Sequence, residues 1–185
     1  APLGKCPYCG FGHASTLDHF LSKARYPTFS VLPFNLVPSC KDCNSGKKSA
    51  ALTKSTQLPH PYFESALVET DIWLFAKVLH SSPAPVIFFA NPPADWQQDL
   101  TDRVETHFED FHLASRFSVE AASELVSICD TVSSLKTTEE RKVHLHQIAQ
   151  IERSSNRKNT WKAALYEALD ESDWFQQIGY QHPPQ

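Results

Sequence analysis

The chain has 185 residues, of which 41% are hydrophobic and 21% are charged, and its net charge at pH 7 is −4. This composition is sufficient for a packed core, and no apolar run approaches the roughly 20 residues of a transmembrane helix. Four of its five cysteines form two closely spaced pairs, which favours metal binding in a reducing cytoplasm over a disulfide framework. We therefore expect a cytoplasmic protein without a membrane anchor.

The charge is divided unequally along the chain. Residues 1–60 contain seven lysines and arginines against two aspartates, a net charge of +5, whereas residues 61–185 carry −9. A basic segment on an acidic body is typical of a localised phosphate-binding face. Ordinary surface scatter explains the same charge distribution equally well. The start at Ala1, with neither Met nor an apolar signal region, predicts that the natural N-terminus is missing or trimmed.

Two Cys-x-x-Cys pairs enclose the first predicted elements. Thirty residues separate the pairs, more than the 15–20 of a simple zinc ribbon. We therefore expect the two pairs, joined by a zinc ion, to enclose a functional loop. Residues 16–20 alternate as a half-buried strand does, 24–38 read as a loop with an extended end, and 43–51 read as a short helix. Four thiolates leave no open coordination position, which predicts a structural Zn²⁺. The four expected ligands are Cys6, Cys9, Cys40 and Cys43.

The second part of the chain begins after a linker-like stretch at 53–61. Residues 72–79 and 86–89 are rich in β-branched and aromatic residues and predict a β-hairpin, although the first run also fits a helix. Helical periodicity follows, with Ser118 as a predicted N-cap and Cys129 as a buried, inert thiol. The predicted core stripes are Leu100, Val104, Phe108, Phe111; Val119, Ala122, Val126, Cys129; Leu145, Ile148, Ile151; and Trp161, Leu165, Leu169.

An acid–imidazole pair lies between the cysteine pairs, and two asparagines follow it. The segments concerned are Leu17-Asp18-His19-Phe20, Tyr26-Pro27, Asn35-Leu36-Val37-Pro38 and Cys40-x-x-Cys43-Asn44-x-x-Lys47. Together with Cys6-x-x-Cys9, this pattern resembles the HNH endonuclease family, also called the ββα-metal fold, over about residues 5–50. The predicted fold class is accordingly α+β: a zinc-stapled ββα motif in a nuclease module at 1–52, then a hairpin and a mainly helical part at 62–185.

The resemblance implies a role for each matching residue. His19 would be the general base that activates water, a role that an imidazole with a pKa near neutrality suits. Asp18 and Asn44 would hold one Mg²⁺ or Mn²⁺ through hard oxygen atoms, and Asn35 would position the loop. One departure is visible, because Ser22-Lys23 stands where many relatives have Pro-Lys.

Three lysines near these residues are candidates for contacts with the DNA backbone. They are Lys23, Lys47 and Lys48, and for each of them a solvated surface lysine is an equally good reading.

The expected function is therefore a metal-dependent endonuclease that hydrolyses phosphodiester bonds in DNA. An N-terminal HNH unit followed by a helical half resembles prokaryotic restriction and antiviral defence proteins, such as Septu-type systems that pair an HNH protein with an ATPase. One alternative is a zinc-stapled nucleic-acid-binding module without catalysis, which would have no use for Asp18, His19 and Asn44 together. Another is a nuclease subunit that stays silent until a protein partner activates it.

Overall fold

The computed structural model describes residues 4–47, 53–154 and 158–184. Within these residues the chain forms two antiparallel two-stranded sheets and seven α-helices, and its C-terminal part is mostly helical, which confirms the α+β class. The strands are β1 Thr16–His19, β2 Leu36–Ser39, β3 Leu74–Val78 and β4 Val86–Ala90. The helices are α1 Lys41–Gly46, α2 Leu67–Thr70, α3 Gln98–Asp110, α4 Leu113–Ser134, α5 Thr138–Ser154, α6 Trp161–Asp170 and α7 Asp173–Gln177.

The chain forms two compact units. The first unit comprises Ala1–Ser65 and Asp95–Leu113, and the second comprises Ala66–Ala94 and Ala114–Gln185. Helix α3 therefore belongs with the N-terminal segment, although a whole β-hairpin separates them in the sequence. The division into domains at 1–52 and 62–185 stays a prediction.

The first unit is built on the pairing of β1 with β2, in a register that places Asp18 opposite Val37 and His19 opposite Leu36. The polar side chain of Asp18 is buried, whereas the apolar side chain of Leu17 is exposed. A half-buried strand usually buries its apolar side chains and exposes its polar ones. The reverse arrangement here requires that polar partners for Asp18 lie in the interior. Helix α1 follows β2 directly, packs against β1 and ends at Gly46, earlier than the predicted 43–51; residues 48–51 lie outside the described part.

The second unit contains the predicted hairpin. Strand β3 pairs with β4 from Leu74 opposite Ala90 to Val78 opposite Val86, which confirms the strand interpretation of the first run. Alternation leaves Leu74, Val78, Val86 and Phe88 buried. Helix α6 packs against β3, and α5 packs against α6. In the residues that the structure describes, no helix is long and apolar enough to cross a membrane.

The predicted stripe on α4 is wrong in register. The helix begins at Leu113, and Ser118 lies inside it with its hydroxyl 3.0 Å from the Ala114 carbonyl oxygen, so Ser118 is no N-cap. Val119 is 68% exposed. A different face of the helix is buried, and it consists of Phe117, Ala121, Leu125, Ile128 and Val132. Cys129 is buried as expected, and burial raises the pKa of its thiol to about 11, which keeps it protonated and unreactive.

Candidate functional site

The four paired cysteines converge on one point in the first unit. Their Sγ atoms all lie within 4.8 Å of one another, and all four side chains are buried. The Sγ atoms of Cys9 and Cys40 are 3.9 Å apart, close to the roughly 3.8 Å edge of a tetrahedron with Zn–S bonds of about 2.3 Å. The cysteines are therefore positioned to bind a metal ion, and four sulfur donors fit a structural Zn²⁺.

The surroundings of the cluster favour the thiolate form of Cys6. Hydrogen bonds from the side chains of Cys43 and Cys9 lower the pKa of Cys6 to about 3, against the opposing effect of burial. Metal ligation needs the deprotonated form. The chain also passes so close to the cluster at Gly12 that a Cβ there would lie 2.8 Å from Cys40 Cβ. Only glycine fits without displacing a ligand.

Helix α3 packs against the segment that carries the first cysteine pair. His107, which is buried, donates through Nε2 to the carbonyl oxygen of Tyr8 at 2.7 Å. The Tyr8 ring stacks on Phe111 with centroids 5.0 Å apart. Burial lowers the pKa of His107 to about 4, so the imidazole is neutral near pH 7 and donates from one nitrogen. His107 was not among the predicted site residues: it lies beside the predicted stripe of α3, and no local pattern indicated its partner.

Asp18 is held by two donors in the interior of the first unit. Its Oδ2 accepts a hydrogen bond from the Tyr8 hydroxyl at 2.8 Å and from Lys47 Nζ at 2.7 Å. Burial, together with the Asp18 carboxylate, raises the pKa of Tyr8, so the phenol stays a donor. These two partners explain why an aspartate, and not the neighbouring Leu17, faces inward on β1.

Lys47 joins the end of α1 to the end of β1. Besides Asp18, its ammonium donates to the carbonyl oxygens of His19 at 2.9 Å and Phe20 at 2.7 Å, and its side chain is only 11% exposed. Burial lowers the pKa of Lys47, and the hydrogen bond to Asp18 opposes that shift. With three protein acceptors around it, the ammonium could contact a phosphate only by leaving them. Sequence reasoning did not foresee this ion pair.

His19 ends β1 with its ring half-buried and hydrogen-bonded on one side. Its Nε2 lies 3.0 Å from the carbonyl oxygen of Ser30. A carbonyl oxygen only accepts, so Nε2 carries the hydrogen and the neutral ring holds its lone pair on Nδ1. A backbone contact thereby fixes the tautomer and the orientation of the imidazole.

Asn35 fixes the loop that carries Ser30. Its buried side chain accepts from the Leu21 amide at 2.6 Å and donates to the carbonyl oxygens of Leu21 at 3.1 Å and Phe29 at 3.0 Å. The side-chain amide of Asn35 thus connects the start of the loop, at Leu21, with Phe29 and with the end of the loop at Asn35 itself. Because Ser30 follows Phe29 directly, the same bonds set the position of the carbonyl that contacts His19.

The remaining predicted residues occupy different surroundings. Asn44 is half-buried on α1, the helix that packs against β1, and Lys23 is exposed in the loop after β1. Lys48 lies outside the described residues. A carboxylate and an amide are the hard oxygen donors that Mg²⁺ and Mn²⁺ prefer, and one oxygen of Asp18 is already engaged by Lys47 and Tyr8.

Comparisons with known proteins give one relative. The chain is 33% identical over 186 residues to the protein ea31 of Escherichia phage lambda, an alignment that covers 92% of this chain. The chain spans about 63% of the length of that relative. No protein-family model matches the chain. No solved structure matches it either.

The buried ion pair leads to a stability prediction. Lys47→Met should destabilise the first unit by about 3–5 kcal/mol, because it leaves the Asp18 carboxylate buried without its cation. Unfolding in denaturant, monitored by the release of zinc, measures the loss in the free energy of unfolding. Lys23→Met, the same change at an exposed site, should stay within about 0.5 kcal/mol.

A double variant separates the pair from general packing. Lys47→Met with Asp18→Leu should recover part of the loss, since no uncompensated charge remains. Equal stability of the Lys47 and Lys23 single variants would show that the ion pair contributes nothing.

Proposed function

We propose that this protein is a metal-dependent HNH endonuclease that hydrolyses phosphodiester bonds in DNA. The observation that carries the proposal is the state of His19. Its Nε2–H is committed to the Ser30 carbonyl, so Nδ1 offers a lone pair to a water molecule. The cysteine cluster, β1, the loop and α1 supply the other residues on which the resemblance to the HNH family rests.

In this mechanism His19 Nδ1 accepts a proton from water as the water oxygen attacks phosphorus and the bond from phosphorus to the leaving oxygen breaks. The leaving oxygen takes up a proton from solvent. The Ser30 carbonyl stabilises the imidazolium that forms, because its lone pair faces the Nε2–H bond. Asn35 keeps that carbonyl in place by holding the adjacent Phe29 carbonyl. The backbone of this loop therefore orients the imidazole of His19.

Asp18 and Asn44 would hold the divalent ion. When bound, Mg²⁺ or Mn²⁺ would neutralise charge on the phosphate and on the leaving oxygen. Lys47 and Tyr8 keep one oxygen of the Asp18 carboxylate fixed, which leaves the carboxylate oriented before any ion arrives. The zinc held by the four cysteines would have no part in the reaction beyond fixing these elements.

A plasmid-cleavage assay tests the proposal. We expect supercoiled DNA to be nicked or linearised in Mg²⁺ or Mn²⁺ and to stay intact without added divalent ion. Zinc content measured in the same samples shows that the structural metal is present in both. Cleavage that is equal with and without divalent ion would contradict a metal-dependent mechanism.

A second function, a zinc-stapled nucleic-acid-binding module without catalysis, is favoured by a different observation. The contacts of Asp18 with Lys47 and of Asn35 with the loop give both residues a structural purpose. Under that reading the protein binds DNA but leaves it uncut in every metal condition. The cleavage assay decides between the two.

We further propose a role in prokaryotic defence against foreign DNA, with the acidic part of the chain docking a protein partner such as an ATPase. Taken as a whole, residues 61–185 carry −9, which favours docking of a protein partner, or of a second copy of the chain, over extended contact with DNA phosphates. Cleavage measured with and without the products of neighbouring genes tests this, since a silent subunit cuts only when its partner is present. A chain that cuts DNA at an ordinary enzymatic rate alone would make the partner unnecessary.

A further inference from the structure

The first unit presents a set of exposed apolar side chains that no part of the mechanism uses. Val31 is 83% exposed, Phe34 61% and Phe63 63%. Single exposed apolar residues are common, but a contiguous group indicates a binding surface. We call this group the aromatic surface; it consists of Phe29, Val31, Leu32, Phe34, Tyr62 and Phe63.

The aromatic surface is assembled from two segments that touch. The rings of Phe34 and Phe63 meet edge to face with centroids 5.5 Å apart, and Tyr62 meets Phe63 in the same manner at 6.1 Å. The Tyr62 hydroxyl donates to the Leu36 carbonyl oxygen at 3.2 Å. The segment at 60–63 is thereby attached to the start of β2.

The loop within this surface is anchored to the candidate base. The Leu32 amide donates to the Phe29 carbonyl oxygen, and the Asn35 amide donates to the Leu32 carbonyl oxygen. Ser30, between the exposed residues, contacts His19. A molecule bound to the aromatic surface would therefore lie beside the imidazole that the proposed function requires.

The stretch of sequence that carries most of the aromatic surface is basic. Residues 19–41 contain no aspartate or glutamate, and Lys23, Arg25 and Lys41 in this stretch are exposed. Glu64, next to Phe63, is ion-paired with Arg103 and accepts from the His60 amide. Exposed aromatic rings on a loop that also carries basic side chains fit a ligand that combines flat apolar groups with negative charge.

We propose that the aromatic surface binds the unpaired bases of a DNA strand, so that this protein prefers single-stranded or locally unpaired DNA to intact duplex. Bases in a duplex stack on each other and offer no face to Phe34 or Phe63. Unpaired bases stack on aromatic side chains with about 1–3 kcal/mol each, and nearby lysines track the phosphates. The inference rests on the proposed function for its ligand class and adds the strand state that the site selects.

The test is a binding measurement with three labelled probes, made without added divalent ion so that nothing is cut. The probes are a single strand, an abasic strand of equal length, and a duplex of the same sequence. We expect the single strand to bind most tightly, because only it offers both phosphates and free bases. Phe34→Ala with Phe63→Ala should weaken its binding by at least about tenfold and leave the abasic strand unaffected.

Two further variants make the outcome specific. Trp at both positions keeps large stacking rings and should restore binding of the single strand. Phe89→Ala removes an exposed aromatic ring in the second unit and should change nothing. All variants should retain zinc, since Phe34 and Phe63 are exposed and lie outside the cysteine cluster.

Several results would overturn the inference: equal affinity for the single and abasic strands, preference for the duplex, or no effect of the double variant. Self-association of the chain that the double variant abolishes would assign the surface to a second copy instead. The proposed function stands or falls separately. Cleavage that is insensitive to the double variant removes the inference alone, whereas base-dependent binding without cleavage in Mg²⁺ removes the nuclease alone.

Discussion

His19→Ala is expected to lower the rate of DNA cleavage by about 10²- to 10⁴-fold, the usual contribution of a positioned general base. The loss should fall on the catalytic rate and leave DNA affinity nearly unchanged, because Nδ1 acts on water and only in the transition state. Single-turnover cleavage of labelled DNA in Mg²⁺, with zinc content and circular dichroism as checks on folding, measures it.

The matched control for this variant is His146→Ala. His146 is an exposed histidine of the second unit whose Nδ1 bonds Asp170, so its removal should leave cleavage at the wild-type rate. A His19→Ala protein that cuts as fast as the His146→Ala protein would show that the base lies elsewhere.

The largest effect on stability is expected from Cys43→Ser. This change removes one of four ligands from a buried cluster, and zinc binding supplies about 10–16 kcal/mol to the folding of small zinc motifs. We expect zinc to fall from about one ion per chain to near none, with unfolding of the first unit. Elemental analysis together with proteolysis measures both changes.

Cys129→Ala is the control for that prediction. Cys129 is also buried, but it lies on α4 outside the cluster, so Cys129→Ala should keep the zinc and destabilise the chain by only about 1 kcal/mol. A Cys43→Ser protein that stayed folded without metal and cut DNA normally would contradict the structural role of the cluster.

The sequence predicted well those features whose chemistry is local. Two Cys-x-x-Cys pairs allow few uses other than metal binding, and the cluster they form confirms that they are positioned for it. The hairpin in the second unit was predictable because β-branched runs flank a proline-rich turn. In each case a short segment carries the whole signal.

The sequence failed where a long-range partner decides. Asp18 and Lys47 are 29 residues apart and Tyr8 and His107 are 99 apart, and no local pattern links either pair. The register of α4 failed for a related reason. Val119 and Val126 follow a helical period as well as Leu125 and Ile128 do, and packing against the rest of the second unit selects the second set.

The bond from His107 to Tyr8 also bears on the order in which the molecule is made. The cysteine knuckle leaves the ribosome 99 residues before the helix that supports it. At synthesis rates of about 5–20 residues per second, that interval is about 5 to 20 s. For the part of this interval that follows the synthesis of Cys43, the nascent chain holds all four thiols of the cluster without α3. Metal capture by the emerging peptide would precede completion of the first unit. We therefore expect the supply of metal during translation, and not only in the finished protein, to affect how much folded first unit forms.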